Sequence, residues 1–365
     1  MSLKVLFIAL EFSTWKKAKH WSYGAQLGFE EGFRENNVEF FTVTTQLIPQ
    51  IKEICSGMHF DQVWVEIVHN NIDKSTWEWL VDKIPIRIGI ICESLDYSED
   101  ECINFPILKE RRALVENKFK YLTHIIASDE VDSELINNNH IPCFWLAHTV
   151  PKNSILHNSY DVHPPNKFGS FTGSVYGRRA NWLAYQELNG LLIRQPSPEN
   201  GTVYPYQFDI LQFISRIIVK SRFPYINYFH PKYIDYLRQI RITTYNIWLK
   251  SLQSNVAVVN LPSLVKAYPG RVIEGMAAGR PVISCEVQNR PKNRALFEDG
   301  VEILLYSNDN PHQLAEHIKR IIAEPCYAYR ISSNARRKIE RYHTVEKRVQ
   351  EILNWLENGD IQNYG

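Results

Sequence analysis

NVAVVNLPSLVKAYPGRVIEGMAAGRPVISCEV, residues 255–287, carries the pattern that decides the fold. NVAVVNL (255–261) is a short, β-branched, continuously apolar run, RVIEGMAAG (271–279) has helical spacing, and PVISCEV (281–287) is a second run like the first. Runs without polar alternation are how strands buried on both faces of a parallel sheet read, and strand–helix–strand order implies a right-handed crossover. Upstream lie KFGSFTG (167–173), helix-like RRANWLAYQEL (178–188) and the short strand GLLIR (190–194). Downstream, EILLYS (302–307) reads as another strand and helices fill most of 309–358, the last with an apolar stripe of Val345, Val349, Ile352, Leu353 and Leu356. The aromatic-rich stretch 204–254 is mostly helical in pattern, and its rings are expected to pack in the core.

The first half repeats this texture. LKVLFIAL (3–10), VEFFTVTT (38–45), FDQVWVEIV (60–68), IRIGIICE (86–93), HIIASD (124–129) and CFWLAHT (143–149) read as strands, with helix-like stretches at 22–36, 46–57, 75–83, 100–120 and 130–139. Between the halves, PKNSILHNSYDVHPPN (151–166) has three prolines and no apolar periodicity, a linker signature. The expected fold class is α/β: two Rossmann-like, doubly wound domains facing a central cleft, residues 1–160 and 161–342, with a terminal helical segment 343–365.

The 365 residues suit two domains of about 150 residues each. With 44% apolar residues the chain has ample material for two cores, which excludes disorder as its main character. Lys plus Arg number 41 against 40 Asp plus Glu, so no global field draws the protein to nucleic acid. Six cysteines without a C-x-x-C pair read as buried, reduced thiols in a cytoplasmic protein. Residues 3–10 look like a working strand, not part of a leader, and no apolar run approaches the ~18 residues of a membrane span. The loop after the first strand, EFSTWKKAKHWSYG (11–24), lacks G-x-G-x-x-G, and no Walker loop is present, which argues against NAD and P-loop chemistry.

Phosphate chemistry shows in two places. In 262–284 a strand ends at Pro262, a loop carries Lys266, Tyr268 and Pro269-Gly270, and a helix begins near Arg271 and Val272. Amides at a helix start beside an arginine suit a diphosphate, and Glu274, one turn in, is placed to accept hydrogen bonds from a ribose diol. The plain packing reading makes Gly275, Ala277, Ala278 and Gly279 a tight helix face and Glu274 a first-turn acid; spacing alone leaves both open. In FTGSVYGRRANW (171–182), a strand stops at Gly173, Ser174 follows, and Arg178-Arg179 open the next helix, an arrangement that grips phosphate oxygens as readily as it makes a surface turn.

E-G-M-A-A-G-R-P-V-I (274–283) resembles the nucleotide-ribose signature of GT-B glycosyltransferases of the "group 1" or family 4 type. ALFEDGVEILLYSNDNPHQLAEHIKRIIAEP (295–325) resembles that family's late strand and helices, and NARRKIERYHTVEKRVQEIL (334–353), with His343, Thr344 and Arg348, is similar in particular to spore-maturation CgeB-type members. The resemblance is good over 255–355, fair at 167–185 and architectural before 150. It implies a hexosyltransferase-like enzyme with a nucleoside-diphosphate sugar as co-substrate and no other cofactor. The second domain would hold the donor: Glu274 the ribose, Gly173, Ser174, Arg178 and Arg179 the diphosphate, and the Tyr268–Val272 loop phosphate and sugar. The helix 343–358 would cross back to the first domain. One departure stands out: where the family often has a donor-sugar glutamate, this chain has Lys266, a cation that cannot accept from sugar hydroxyls but suits phosphate.

Glycosyl transfer passes through an oxocarbenium-like state with charge gathering on the leaving diphosphate. The sequence lacks a convincing D-x-D; DEVD (129–132) reads as a capped helix start, so no metal is expected. Inverting transfer needs a base, for which Glu11, Glu93 and Asp96 follow first-domain strands, with His69 and His148 also at strand ends. Retaining transfer needs none. Trp15, His20 and Trp21, among Lys16, Lys17 and Lys19, together with His69 mark the acceptor side, where a carbohydrate or other hydroxyl acceptor, a small molecule or a lipid-linked one would bind, with peripheral contact to the inner face of a membrane a further expectation. Two other readings stay open: a sugar-nucleotide epimerase or hydrolase on the same fold, and a glycan-binding protein that has lost its chemistry.

Overall fold

The computed structural model describes residues 2–10, 24–157, 164–173, 177–195, 226–264 and 266–359, together with Val175, Phe213 and Ile217. These residues form two compact units, each built on one parallel sheet. The first unit takes the described residues of Met1–Leu146 and of Gly201–Thr244; the second takes those of Ala147–Asn200 and Tyr245–Gly365.

In the first unit the strands are β1 (Lys4–Ala9), β2 (Glu39–Thr44), β3 (Gln62–Glu66), β4 (Ile86–Ile91), β5 (His124–Ala127) and β6 (Cys143–Trp145), in the order β2-β1-β3-β4-β5-β6. All pairs are parallel, with Val5 opposite Phe40 and Val65 opposite Gly89. Because side chains alternate across a sheet, Leu6, Ile8, Val63 and Val65 feed one core with Trp77 and Leu80. On the other face Phe7 and Trp64 meet Phe29 and Phe33 of the helix Gly24–Glu35, with ring centres 5.0–5.9 Å apart. The expected helix at 100–120 is two helices, Glu99–Asn104 and Ile107–Glu116, since Pro106 cannot continue the first. The stretch 46–57 is a 3-10 turn, Thr45–Gln50, running into a four-residue helix, Ile51–Ile54.

The second unit has β7 (Gly169–Phe171), β8 (Leu192–Arg194), β9 (Ala257–Asn260), β10 (Val282–Cys285) and β11 (Leu304–Tyr306), all parallel, in the order β11-β10-β9-β7-β8. The helix Gly270–Ala277 lies so close on this sheet that a Cβ at Gly275 would sit 2.9 Å from Val282 Cγ2. The helix Val345–Asn358 is capped by Thr344, and the backbone of His343–Val345 pairs with Val150 while Glu346 accepts the Lys152 amide. Its buried stripe runs through Val345, Val349, Ile352 and Trp355, with Leu353 and Leu356 only partly covered.

The aromatic segment divides. In the helix Ile226–Leu252, Tyr233 packs in the first unit's core, and Tyr245 and Trp248 are buried in the second unit, whereas Tyr228, Phe229 and Tyr236 are exposed. Its first half is held in the first unit by a partly buried ion pair, Arg238 Nε to Glu30 Oε2 at 2.6 Å, and by Arg241, which donates to the Leu10 carbonyl. Of the six thiols, Cys55, Cys143 and Cys285 are buried, Cys92 and Cys102 partly so, and Cys326 is exposed, so the expectation of uniform burial holds for half of them.

Candidate functional site

In a doubly wound sheet the crevice opens where strand order reverses, at the carboxyl ends of the two strands that flank the reversal. In the second unit these are β7 and β9. Phe171 ends β7, and the guanidinium groups of Arg271 and Arg179 both lie against its ring, 5.1 and 5.2 Å from the centroid. Arg271, in the first turn of the helix Gly270–Ala277, donates to Asn260 Oδ1 at the end of β9, 2.9 Å away, and Arg179 Nε donates to the Pro262 carbonyl at 3.0 Å. Asn260 is itself fixed, since it donates to Ser284 Oγ, and Tyr306 donates to its carbonyl. Burial pushes the Cys285 thiol up to about 12 although both arginines pull it down, so a neutral thiol stands beside the two cations. The backbone at Gly173, φ 152°, passes so near that a Cβ there would meet Arg271 Nη2 at 2.7 Å.

Glu274 sits one turn into the same helix and is buried. Its carboxylate turns back towards Gly270, and Oε2 accepts from Trp248 Nε1 at 2.9 Å. Tyr245, fully buried, lies close enough that the glutamate adds to burial in raising its phenol well above the ordinary value. Arg178 is exposed and pairs with Asp309 beyond β11. Tyr268 is buried against Phe297, with its amide donating to Asn293 Oδ1; Val272 is buried in the core and its amide donates to the Pro269 carbonyl. Lys266 is half-buried in the loop before the helix. A cavity of about 400 Å³ opens after β10, lined by Glu286–Pro291 and Arg294.

In the first unit the strand ends gather a second cluster. Glu66, the last residue of β3 and fully buried, accepts from the amides of Val68, His69 and Asn70 at 3.0–3.2 Å. His69 Nδ1 is 3.0 Å from Glu66 Oε1, its Nε2 is 3.5 Å from Glu93 Oε1, and the other Glu93 oxygen pairs with Arg111. Burial alone would lower the His69 pKa; contacts with Cys92, Glu66 and Glu93 outweigh it and push it up to about 12. Because burial also holds Cys92 as a thiol, the two carboxylates are the partners that keep the imidazole charged. Glu66, His69 and Cys92 bring ligand-type atoms within 4.8 Å of one another, but the Glu66 oxygens are already filled by amides. Two of the three acids of DEVD close local structure: Asp129 caps the helix Glu130–Asn138, and Asp132 accepts the Leu95 amide.

The structure thus brings together Gly173, Arg179, Arg271 and Glu274 in one unit, and Glu93 and His69 in the other, with half-buried Asp96 three residues beyond Glu93. Glu11, Trp15, His20, Trp21 and Ser174 lie outside the described residues. Sequence reasoning missed Phe171, Asn260, Trp248 and Tyr245 around the arginines and Glu274, and Glu66, Cys92 and Arg111 around His69.

Three solved structures share this architecture over nearly the whole chain. An α-glucosyltransferase in complex with UDP-glucose and DNA containing an abasic site matches with a TM-score of 0.59 at 11% identity, covering 98% of this chain and 100% of that one. The fold is GT-B. Sucrose-phosphate synthase from Thermosynechococcus elongatus has a TM-score of 0.53 at 13% identity, over 98% and 100% of the two chains. Anabaena HepE in complex with UDP-glucose has a TM-score of 0.51 at 13% identity, over 96% and 99%. A family described as glycosyl transferase-like matches residues 227–354, the part of the GT-B chain that carries Tyr245, Trp248, Arg271 and Glu274. No curated protein matches the chain. Among the described residues no helix is long and apolar enough to cross a membrane.

Proposed function

We propose that this chain is a glycosyltransferase that moves a sugar from a nucleoside-diphosphate sugar to a hydroxyl acceptor without a metal ion. The observation that carries this reading is the pair of guanidinium groups, Arg179 and Arg271, set against Phe171 at the strand-end crevice beside a helix start. As the anomeric C–O bond breaks, negative charge collects on the departing diphosphate. Fixed cations and helix amides already aimed there stabilise that charge without reorganising. Two arginines and a lysine loop supply the countercharge that a metal supplies elsewhere, with Lys266 gripping phosphate in place of a sugar-binding carboxylate. Glu274 takes the ribose. The HepE and α-glucosyltransferase complexes with UDP-glucose support a donor of this class.

The acceptor side falls to the first unit. Glu93, set between His69 and Arg111, has a cation facing each oxygen, so it orients charge at the strand ends better than it removes a proton. Asp96 and Glu11 remain the base candidates for an inverting reaction. The acceptor is a glycan, a lipid-linked carrier or a small molecule, and cytoplasmic work beside a membrane fits the lysine and tryptophan residues of 13–23. His343 and Arg348, whose ring nitrogen and guanidinium approach to 3.4 Å, seat the start of the last helix, the part that resembles CgeB-type members.

The test is Glu274→Gln, which keeps the size of the side chain and an oxygen for Trp248. The variant should keep its melting temperature and lose ~10-fold or more in affinity for the preferred nucleoside diphosphate. Unchanged affinity for UDP, GDP, ADP and CDP alike would sink the donor-site assignment.

A further inference from the structure

Two adjacent strands of the first unit end in side chains of the metal-ligand type. β3 closes on Glu66, and the chain leaves β4 through Cys92. Glu66 stands opposite Ile90 in the parallel pair, so Cys92, two residues on, points to the same face. The loop after β3 then turns His69 back over that face. Its amides at Val68, His69 and Asn70 bond the Glu66 carboxylate, Asn70 Nδ2 donates to the Glu66 carbonyl, and Lys118 donates to the carbonyls of Ile67 and Asn70. A carboxylate, an imidazole and a thiol are thereby brought together. His69 Nδ1 lies 3.0 Å from Glu66 Oε1, Cys92 Sγ lies 3.4 Å from the same oxygen, and Sγ and Nδ1 are 3.9 Å apart.

We propose that Glu66, His69 and Cys92 form a binding site for one divalent cation of the zinc class, separate from the arginine crevice of the second unit. Zinc held in a tetrahedron at ~2.1 Å by oxygen and nitrogen and at ~2.3 Å by sulfur sets its ligands about 3.4–3.6 Å apart. Each of the three separations therefore has to change by no more than about 0.4 Å. A carboxylate, an imidazole and a thiolate together select such an ion over magnesium or calcium, which take oxygen ligands. The amides on Glu66 hold its carboxylate still; the contacts on Oε1 that the ion replaces are those of the ring and the thiol. A carboxylate only accepts, so Nδ1 and Sγ each turn a proton towards Oε1. Binding releases both protons as two positive charges enter, and the surrounding Glu93, Arg111 and Lys118 face an unchanged net charge. An outer carboxylate is in place as well. Glu93 Oε1 faces His69 Nε2 at 3.5 Å, the arrangement that fixes the tautomer of a metal-bound histidine, and Arg111 holds its other oxygen. His69 and Cys92 are both partly exposed, which gives the ion an entry and leaves its fourth position to water.

The test titrates the purified chain with Co²⁺, whose bond to a thiolate gives an absorption band in the near ultraviolet, and then competes with Zn²⁺ or Mg²⁺. One Co²⁺ per chain is expected to bind with that band; Zn²⁺ should displace it and Mg²⁺ should not. Cys92→Ser and His69→Ala should each lose the band, whereas Cys326→Ser, which removes an exposed thiol of the second unit, should leave it unchanged. A second readout needs no variant: Zn²⁺ should protect Cys92 from alkylation by iodoacetamide, with the modified thiols located by peptide mass mapping. Should Cys92→Ser or His69→Ala fail to fold, that protection pattern in wild type decides alone. Folded wild type without a thiolate band overturns the proposal. So does a band that survives Cys92→Ser or disappears in Cys326→Ser, or protection of any thiol but Cys92, since each of these means an adventitious ion only.

Discussion

Replacing Gly173 by alanine tests whether the position of Arg271 matters for phosphate binding. At φ 152° an alanine is strained whatever the space around it, at a cost of about 1–2 kcal/mol. The added methyl would also stand 2.7 Å from Arg271 Nη2 and 3.2 Å from Phe171 Cζ. The guanidinium is the end of a flexible side chain and gives way first. In moving it surrenders its 2.9 Å bond to Asn260 and its place on the Phe171 ring. A hydrogen bond from a charged donor is worth ~1.5–3 kcal/mol and a partly desolvated cation–π contact ~1 kcal/mol. A site that holds the cation displaced should therefore bind a nucleoside diphosphate ~10–100-fold more weakly. Gly177→Ala is the control: φ there is also positive, 55°, but nothing lies within 4 Å of the added methyl, so it pays backbone strain without moving an arginine. Calorimetric titration with the preferred diphosphate, alongside thermal melts, separates the two effects. Both variants should lose a few degrees, and only Gly173→Ala should lose affinity. Equal affinity in Gly173→Ala and wild type, with Arg271→Ala much weaker, would refute the claim that the glycine makes room for the arginine.

Two further outcomes follow from packing and protonation. Gly275→Ala forces a methyl to within 2.9 Å of Val282 and 3.0 Å of Val258, so overpacking should cost ~1–3 kcal/mol by chemical denaturation, and a variant as stable as wild type would mean that the helix does not rest on the sheet there. His230 is buried against the Phe41 ring, and burial lowers its pKa to about 4; a depressed histidine contributes stability above its unfolded value near 6.5 that is lost as pH falls towards 4. His230→Phe should therefore flatten the acid limb of stability between pH 6.5 and 4 by up to ~3 kcal/mol, and an unchanged acid limb would show that the ring is solvated.

The sheets were legible because parallel strands buried on both faces leave no polar alternation, and all eleven strands among the described residues fall inside the runs read as strands from the sequence. What the pattern could not show was where helices break or to which unit they attach. Pro106 splits one helix, and the long helix Ile226–Leu252 contributes Tyr233 to one unit and Tyr245 to the other, because apolar spacing records that a ring is buried and not what it is buried against. Arg179, Arg271 and Glu274 could be placed at helix starts from the sequence, but the spacing left a structural and a ligand-binding role equally open, because charged groups at a helix start also serve the helix itself. Trp248 and Tyr245 were hidden: each counts as hydrophobic, yet the indole N–H and the phenol hydroxyl are the atoms that bear on Glu274.

A usable signal did exist for part of what was missed. Glu66 interrupts FDQVWVEIV and Asn260 ends NVAVVN, polar groups inside runs that otherwise demand burial. A carboxylate in such a place must find donors within the protein, or it would carry a desolvation penalty of several kcal/mol, on the order of ~2–7 for an unpaired polar group. Glu66 finds three backbone amides and the His69 ring; Asn260 finds Arg271 and Ser284. Both lie at the carboxyl ends of strands next to the reversal of strand order, where the main chain stops supplying ladder partners and side chains must. The polar residue that breaks an apolar strand at its last position is thus forced to recruit a charged or hydrogen-bonding neighbour, and the crevice where it does so is the place where a polar ligand finds groups already fixed in position.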